Sequence, residues 1–195
     1  MDKYFGKWIN DIHSLNDNFI NTKPFPYIVI DNFLNNDFIE LVYNEFPDDY
    51  TDWHKYNNPL EVKYTFDNIS NCGNNIKKLF ELIGSKEIIE IFENITNIPN
   101  LSTDPLFHGC GLHVSPRNGR LAVHLDYEKH PLLDNKQRRL NLIIYLSKNW
   151  KPEWNGDTEL WNDKECVVSN KVSFNTVLLF KTSDDSWHGV PKKIL

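Results

Sequence analysis

Cysteine and methionine are scarce in this chain of 195 residues, which has three of the first and one of the second. The cysteines, Cys72, Cys110 and Cys166, are odd in number and form no CxxC pair. The sequence therefore indicates neither a disulfide framework nor a cysteine zinc site. We expect all three to be small buried thiols.

Long apolar runs and excess positive charge are also missing. No run approaches the roughly 18 apolar residues of a membrane span, and the N-terminus lacks the basic-then-apolar layout of a secretory signal. We therefore expect a cytoplasmic protein without membrane contact. Lys and Arg total 21 against 27 Asp and Glu, a net charge of −6. Because this charge repels polyanions, nucleic acid is not an expected partner.

What remains is the composition of a folded globular protein, with 40% hydrophobic, 25% charged and 13% aromatic residues. The length suits one domain with a sizeable core, and no repeat, linker or low-complexity segment divides it. The sequence predicts a single domain over residues 1–195.

The first half of the chain has the spacing of amphipathic helices, with apolar residues three or four positions apart. This pattern predicts helices over residues 1–23, 38–46, 76–83 and 88–95, and a β-rich run predicts a first strand over 27–30. Asn35 or Asn36 is expected to cap the second helix, and Gly84 to separate the last two. The polar and aromatic residues 48–72 are expected to be irregular.

After Pro99 the apolar residues alternate or form short blocks separated by turn formers, which predicts antiparallel strands. The blocks are 106–115, 120–125, 138–147, 158–161 and 172–180. Helices followed by strands indicate an α+β fold in which the helices pack on one sheet.

A candidate metal site lies in the predicted strand 120–125 and just beyond it. His124 and Asp126 are two positions apart and so share a face of the sheet, and His188 follows the apolar strand near the C-terminus. Two histidines and one carboxylate leave three open positions on an octahedral metal, as in non-haem Fe(II) oxygenases. The alternative is a surface histidine beside a solvated aspartate. His108 and His113, five residues apart, share no strand face and are expected to be structural.

An ordered series of short motifs resembles the prolyl-hydroxylase-like branch of the Fe(II)/2-oxoglutarate-dependent dioxygenases over roughly residues 24–191. The motifs are PFPYIVIDNFL (24–34), GLHV (111–114), RLAVHLD (120–126), RRLNLIIYLSKNW (138–150), WNGDTELW (154–161), FNTVLLF (174–180) and WHGVP (187–191).

The resemblance implies a double-stranded β-helix, or jelly roll, in which His124, Asp126 and His188 hold Fe(II). It implies 2-oxoglutarate as cosubstrate and dioxygen as oxidant, and it allows ascorbate as an accessory cofactor. Tyr145 matches the family position whose hydroxyl binds the distal carboxylate of 2-oxoglutarate. Asn141, on the same strand face as Tyr145, is a second candidate for cofactor binding, while the alternate residues form an aliphatic face.

The activity implied by the resemblance is hydroxylation of an unactivated C–H bond with release of succinate and CO2. The expected substrate is a prolyl residue, a related peptide or an amino acid. Two alternatives stay open: a catalytically impaired jelly-roll module that binds metal and serves as a scaffold, and a cupin-like metal enzyme without cosubstrate.

One family feature has no match in this sequence. Relatives carry an Arg or Lys on a strand after the distal histidine, where it pairs with the 5-carboxylate of the cosubstrate. Only Lys192 and Lys193 follow His188 before Leu195, and both are expected to be solvated. We therefore expect the domain to lack its last C-terminal strand or strands here.

Overall fold

The computed structural model describes residues 3–195 of the chain. Four α-helices precede most of the strands: α1 (Ile12–Asn21), α2 (Asn36–Asn44), α3 (Asn74–Ile83) and α4 (Lys86–Thr96). The strands are β1 (Tyr27–Ile30), β2 (His54–Asn57), β3 (Glu61–Phe66), β4 (Leu112–Val114), β5 (Arg120–His124), β6 (Leu140–Tyr145), β7 (Thr158–Trp161), β8 (Cys166–Asn170), β9 (Thr176–Lys181) and β10 (His188–Val190). Three short 3-10 helices occur at Lys7–Asn10, Ile69–Asn71 and Pro152–Trp154.

The helix boundaries follow local capping signals. The side chain of Asn35 accepts a hydrogen bond from the backbone N–H of Asp37, which confirms one of the two expected caps of α2. Gly84 lies between α3 and α4, as predicted, and the side chain of the following Ser85 caps α4. No helix in the described part of the chain combines the length and apolarity needed to cross a bilayer.

The prediction of one helix over residues 1–23 is wrong, and its first two positions lie outside the described residues. The segment is broken into a 3-10 helix and α1 by Asp11, whose φ of −128° and ψ of 44° are not helical. Trp8 is anchored in the core, where its indole N–H donates to the carbonyl of Phe33 at 2.8 Å. This tertiary hydrogen bond outweighs the local helical pattern.

The strands form two antiparallel sheets. The smaller has the order β1-β9-β6, and the larger has the order β2-β3-β5-β10-β7-β8, with β4 also paired to β3. The structure is therefore α+β with antiparallel sheets, as predicted.

Three strand predictions need correction. Residues 48–72 contain the hairpin β2-β3, whose signal is the alternation of Val62, Tyr64 and Phe66 on one face. Only Leu112–Val114 of the block 106–115 is a strand, because turns and positive-φ residues occupy most of the preceding segment. Strand β8 lies between two predicted blocks and has only one buried residue, Asn170, so its apolar signal is weak.

Two apolar cores hold the layers together. The larger core joins the helices to one face of the smaller sheet, where it includes the predicted aliphatic face of β6, residues 140, 142, 144 and 146. The smaller core lies between the sheets and contains Tyr145, Leu160, Leu178 and Phe180. Alternation along β6 and β9 thus assigns successive side chains to different cores.

The expectation for the cysteines holds only in part. Cys72 is buried and Cys166 is half-buried, whereas Cys110 is exposed. Cys110 lies between Gly109 and Gly111, both of which have positive φ, in a loop that runs over the surface rather than in a strand.

Candidate metal centre

The two histidines of the candidate site lie opposite each other on neighbouring antiparallel strands. His188 of β10 is paired with His124 of β5, and two residues further on Val190 is paired with Leu121. Between these two pairs, the single residue Gly189 of β10 faces two residues of β5, Ala122 and Val123. Strand β5 therefore carries a bulge immediately before His124. The bulge and the end of β5 at His124 allow the chain to turn, so that Asp126 reaches the same site from just beyond the strand.

The ligand atoms of the triad converge. The Nε2 atom of His188 lies 3.6 Å from one carboxylate oxygen of Asp126, and the Nε2 atom of His124 lies 3.8 Å from the other. One ligand atom from each residue can be chosen so that all three lie within 4.8 Å of one another. His188 and Asp126 have side chains that are 5% and 10% exposed, whereas that of His124 is 35% exposed, so the centre opens to solvent on the His124 side.

Backbone carbonyls orient both imidazoles. The Nδ1 atom of His124 is 2.9 Å from the carbonyl oxygen of Ala122, and Nδ1 of His188 is 2.9 Å from that of Ser186. A carbonyl only accepts, so each Nδ1 carries the proton and each Nε2 presents its lone pair to the site. Such a partner on the other ring nitrogen is the usual second contact of a metal-binding histidine.

The donor set suits Fe(II). Neutral imidazole nitrogens and one carboxylate oxygen fit this metal, and donors about 2.1 Å from one ion at right angles are about 3 Å apart. Because one ligand atom from each residue lies within 4.8 Å of the other two, the side chains would have to move inward by at most about 2 Å to reach these separations. The three residues singled out in the sequence are therefore brought together in an arrangement that can hold this ion.

Two further side chains hold the carboxylate of Asp126. The guanidinium of Arg138 lies 3.2 Å from its Oδ1, and the amide of Asn141 donates to its Oδ2 at 3.1 Å. Asn141, predicted to bind a cofactor, thus contacts the candidate metal ligand. Arg138 was not predicted, because it is one of several charged residues before β6 and sequence alone does not show which of them turns inward.

Deeper between the sheets, Tyr145 belongs to a buried hydrogen-bonded group. Its hydroxyl donates to Oγ1 of Thr158 at 2.8 Å and accepts from the amide of Asn170 at 3.1 Å. Burial raises the pKa of Tyr145, so the phenol stays protonated. The pair Thr158 and Asn170 comes from facing positions of β7 and β8 and was not identified from the sequence.

His113, expected to be structural, belongs to the polar surroundings of the centre. Burial, followed by the positive charges of Lys63 and Arg138, lowers the pKa of His113 to about 4. His113 lies opposite Thr65 on β3, two residues from Lys63, so the hairpin β2-β3 forms one wall beside the centre. The sequence did not predict this wall, because it did not predict the hairpin β2-β3.

The lowered pKa of His113 predicts a loss of stability in acid. The unfolded chain takes up this proton near pH 6.5 and the folded chain only near pH 4, so stability falls as the pH decreases between these values. In metal-free protein, His113→Gln should reduce the stability lost between pH 6.5 and pH 4.5 by about 1 kcal/mol, a value discounted because part of the imidazole is exposed. Urea unfolding at both pH values measures this difference.

The matched control is His13→Gln, which alters an exposed residue of α1. It should leave the pH dependence of unfolding as in the wild type. Equal pH dependence in all three proteins would contradict the assigned environment of His113.

Comparison with known proteins gives a family match over part of the chain and a similar fold over nearly all of it. Residues 110–194 match the model of the 2OG-Fe(II) oxygenase superfamily, and this stretch contains the triad, Asn141 and Tyr145. The crystal structure of a Pseudomonas putida prolyl-4-hydroxylase is similar over 92% of this chain and 91% of that chain, with a TM-score of 0.67 and 11% identity.

A prolyl hydroxylase from Trichoplax adhaerens, in complex with a hypoxia inducible factor oxygen degradation domain peptide fragment, is similar over 100% of this chain and 90% of that chain. Its TM-score is 0.65 and its identity 14%. No curated protein gives a significant match. The superfamily resemblance drawn from the motifs is confirmed over residues 110–194, and the fold is similar to that of prolyl hydroxylases.

Proposed function

We propose that this chain, whose residues 110–194 match the model of the 2OG-Fe(II) oxygenase superfamily, hydroxylates an unactivated C–H bond with Fe(II), 2-oxoglutarate and dioxygen, releasing succinate and CO2. The observation that carries the proposal is the convergence of His124, Asp126 and His188, with both Nε2 atoms free to bind. When bound, the ferrous ion supplies the open coordination positions at which 2-oxoglutarate and dioxygen react.

The side chains around the centre have separable tasks in this proposal. Asp126 supplies the negative charge among the ligands, while Arg138 and Asn141 fix the orientation of its carboxylate. The ring of Phe180 packs 4.7 Å from that of His188. This contact, with Leu160 behind it, excludes water from the inner side of the site.

We propose that Tyr145 donates its hydroxyl proton to the distal carboxylate of 2-oxoglutarate, the role implied by the family resemblance. Its buried phenol is protonated, and its one donated hydrogen bond, which goes to Oγ1 of Thr158 in the ligand-free protein, would turn to the carboxylate, while the amide of Asn170 continues to donate to the phenol oxygen. Asn141 remains a candidate for cosubstrate contact in addition to its bond to Asp126. The cosubstrate would then span the space between the metal centre and this buried group, inside the predicted double-stranded β-helix.

The proposed substrate is a prolyl residue in a peptide, or a related amino acid. Support comes from the prolyl-hydroxylase fold of the two similar structures and from the peptide bound to the Trichoplax enzyme. The same proposal includes three expectations from the sequence. The enzyme can use ascorbate, it is cytoplasmic, and residues 1–195 form one domain.

The direct test incubates the protein with Fe(II) and 2-oxoglutarate in air and measures succinate. We expect succinate from the wild type and none above background from His124→Ala. Absence of triad-dependent succinate would instead favour the scaffold alternative, and activity without 2-oxoglutarate would favour a cupin-like enzyme.

Tyr145→Phe separates cosubstrate binding from metal binding. Loss of the hydroxyl should raise the KM for 2-oxoglutarate about tenfold, because one charge-assisted hydrogen bond is lost, and leave Fe(II) affinity within about twofold. It should also lower the free energy of unfolding by about 1–3 kcal/mol, since Thr158 and Asn170 lose a buried partner. Steady-state kinetics with varied 2-oxoglutarate and an anaerobic Fe(II) titration measure both effects. A change in the KM of the hydroxylated substrate, with an unchanged KM for 2-oxoglutarate, would contradict the role of Tyr145.

A further inference from the structure

A loop that joins β5 to β6 begins and ends beside the metal centre. It starts directly after the candidate ligand Asp126, and its last residue, Arg138, lies 3.2 Å from the carboxylate of that ligand. We refer to residues 127–138 as the centre loop. The function proposed above uses only Arg138 of this loop, although the position of the whole loop bears on the ligand and on the residue that orients it.

The two arms of the centre loop are joined to each other. The N–H of Arg138 donates to the carbonyl of Glu128 at 2.9 Å, and the N–H of His130 donates to that of Lys136 at 2.8 Å. The guanidinium of Arg138 also lies over the ring of Tyr127, 5.2 Å from its centroid. A displacement of the first arm is therefore passed on to Arg138.

His130 organises the tip of the centre loop. Its Nδ1 atom accepts hydrogen bonds from the N–H groups of Leu132 at 3.1 Å and Leu133 at 2.9 Å. Because Nδ1 is an acceptor, Nε2 carries the proton, and it lies 3.1 Å from Oδ2 of Asp104. The side chain of His130 is only 6% exposed, although most residues of the loop are exposed. Both ring nitrogens of this buried imidazole are therefore hydrogen-bonded.

Asp104 belongs to a second loop, which precedes β4. Its carboxylate accepts hydrogen bonds from the N–H groups of Leu106 at 2.8 Å and His108 at 2.7 Å. Burial opposes ionisation, but the hydrogen bonds from Leu106, His130 and His108 lower the pKa of Asp104, so the group is a carboxylate near neutral pH. The hydroxyl of Tyr127 donates to the carbonyl of His108 at 3.0 Å. The second loop thus holds the centre loop at its first residue and at its tip.

Arg138 is held from two directions. Its carbonyl accepts a hydrogen bond from the hydroxyl of Thr182 at 2.8 Å, a contact that follows β9 and does not involve the rest of the centre loop. Its N–H and its guanidinium contact the first arm of that loop. Only the second set of contacts depends on the pair Asp104 and His130. Loss of the pair should therefore disturb the guanidinium while the backbone of Arg138 stays attached to the sheet.

We propose that Asp104 and His130 are positioning residues for the metal centre. Their hydrogen bond fixes the first arm of the centre loop, and through Arg138 it fixes the carboxylate of Asp126 in the orientation that binds the metal. Outer contacts of this kind raise metal affinity by holding a ligand in place before the ion arrives. The inference rests on the proposed function for the identity of the metal site, but it does not depend on the reaction.

The test titrates metal-free protein with Co(II), followed by its visible absorption, in wild type and His130→Asn. Asparagine can still accept a hydrogen bond from the N–H two residues later, but it is too short to reach Asp104. We expect the affinity for Co(II) to fall about fivefold, less than the roughly 10–100-fold typical of a direct contact to a ligand. Asp104→Asn should cause a loss of about the same size, because it removes the other half of the pair.

Each variant has a control with the same substitution. His13→Asn alters an exposed residue of α1, and Asp134→Asn alters an exposed residue of the centre loop itself. Both should bind Co(II) within about twofold of the wild type. Unchanged affinity in His130→Asn and Asp104→Asn, or equal losses in Asp104→Asn and Asp134→Asn, would overturn the proposal.

A double-variant cycle tests the route through Arg138. Arg138→Gln alone should weaken Co(II) binding at least about tenfold, because this residue contacts the ligand. In the Arg138→Gln protein, His130→Asn should cost less than about twofold more, since the guanidinium that it positions is already absent. The same fivefold loss in both backgrounds would overturn the proposed route.

Hydrogen exchange of the metal-free protein provides a measurement that involves no metal. In His130→Asn, amides of the centre loop should exchange at least about tenfold faster than in the wild type, while those of β9 should be unchanged. Faster exchange throughout the chain would indicate a loss of stability alone and would overturn the positioning role.

These outcomes are distinct from those of the proposed function, because Co(II) binding needs neither 2-oxoglutarate nor dioxygen. The expected losses in a protein that forms no triad-dependent succinate would support the positioning pair and reject the hydroxylase. Succinate formation by the wild type, with unchanged Co(II) affinity in His130→Asn, would do the reverse. Absence of Co(II) binding by the wild type would overturn the positioning role, since there would be no metal site to position.

Discussion

Asp126→Ala should abolish turnover and weaken Fe(II) binding by more than about 100-fold. The substitution removes the one anionic ligand of the triad and leaves the guanidinium of Arg138, now without its 3.2 Å partner, beside two neutral imidazoles. Loss of an outer contact to a metal ligand typically costs about 10–100-fold in affinity, so loss of the ligand itself should cost more. An anaerobic titration with Fe(II), or with Co(II) followed by its visible absorption, measures the change.

The control for this variant is Asp163→Ala, which removes an exposed carboxylate from the turn between β7 and β8. It should bind Fe(II) and form succinate as the wild type does. Unchanged metal stoichiometry and affinity in Asp126→Ala would refute the assignment of this residue as a ligand.

Gly189→Ala should have the largest effect among substitutions of residues that do not themselves contact the metal. A Cβ at this position would lie 2.9 Å from the carbonyl oxygens of Leu121 and Ala122 and 2.9 Å from Cα of Val123. All three atoms belong to the backbone of the β5 bulge, so relief requires β10 to move away and His188 to move with it. We expect a loss of about 3 kcal/mol of stability and at least a tenfold loss of Fe(II) affinity.

Thermal unfolding and Fe(II) titration of the same preparation measure both effects, and a loss of this size lowers Tm by roughly 6–12 °C in a domain of this length. Gly84→Ala is the matched control. There the added Cβ would lie 3.1 Å from Cγ2 of Thr103 and 3.3 Å from the carbonyl oxygen of Phe80, distances that a shift of a few tenths of an ångström relieves. A Gly189→Ala protein as stable as this control would show that the bulge does not constrain β10.

Parts of the site could be predicted because they depend on local periodicity. The alternation along β6 correctly separates its aliphatic face from the face that carries Asn141 and Tyr145. The spacing of His124 and Asp126 identified two residues that the structure brings together, but for a reason that holds only in part. Asp126 lies beyond the end of β5, so its position depends on the turn of the chain and not on strand alternation alone.

Other parts depend on contacts between distant residues, which spacing does not encode. The bulge in β5 exists because β10 is paired with it, and its sequence signal is one glycine 65 residues after His124. Arg138 could not be distinguished from Arg139 before the structure oriented its guanidinium towards Asp126. The hairpin β2-β3 was missed because polar and charged residues, Glu61, Lys63 and Thr65, alternate with the apolar residues of β3, and because β2 has no buried residue.

The most direct test of the account is a crystal structure of the protein prepared anaerobically with Fe(II) and 2-oxoglutarate. We predict one iron about 2.2 Å from Nε2 of His124, Nε2 of His188 and one carboxylate oxygen of Asp126, with 2-oxoglutarate extending towards Tyr145. Iron bound elsewhere, or a His188 ring turned so that Nε2 faces away from the other two ligands, would contradict the account.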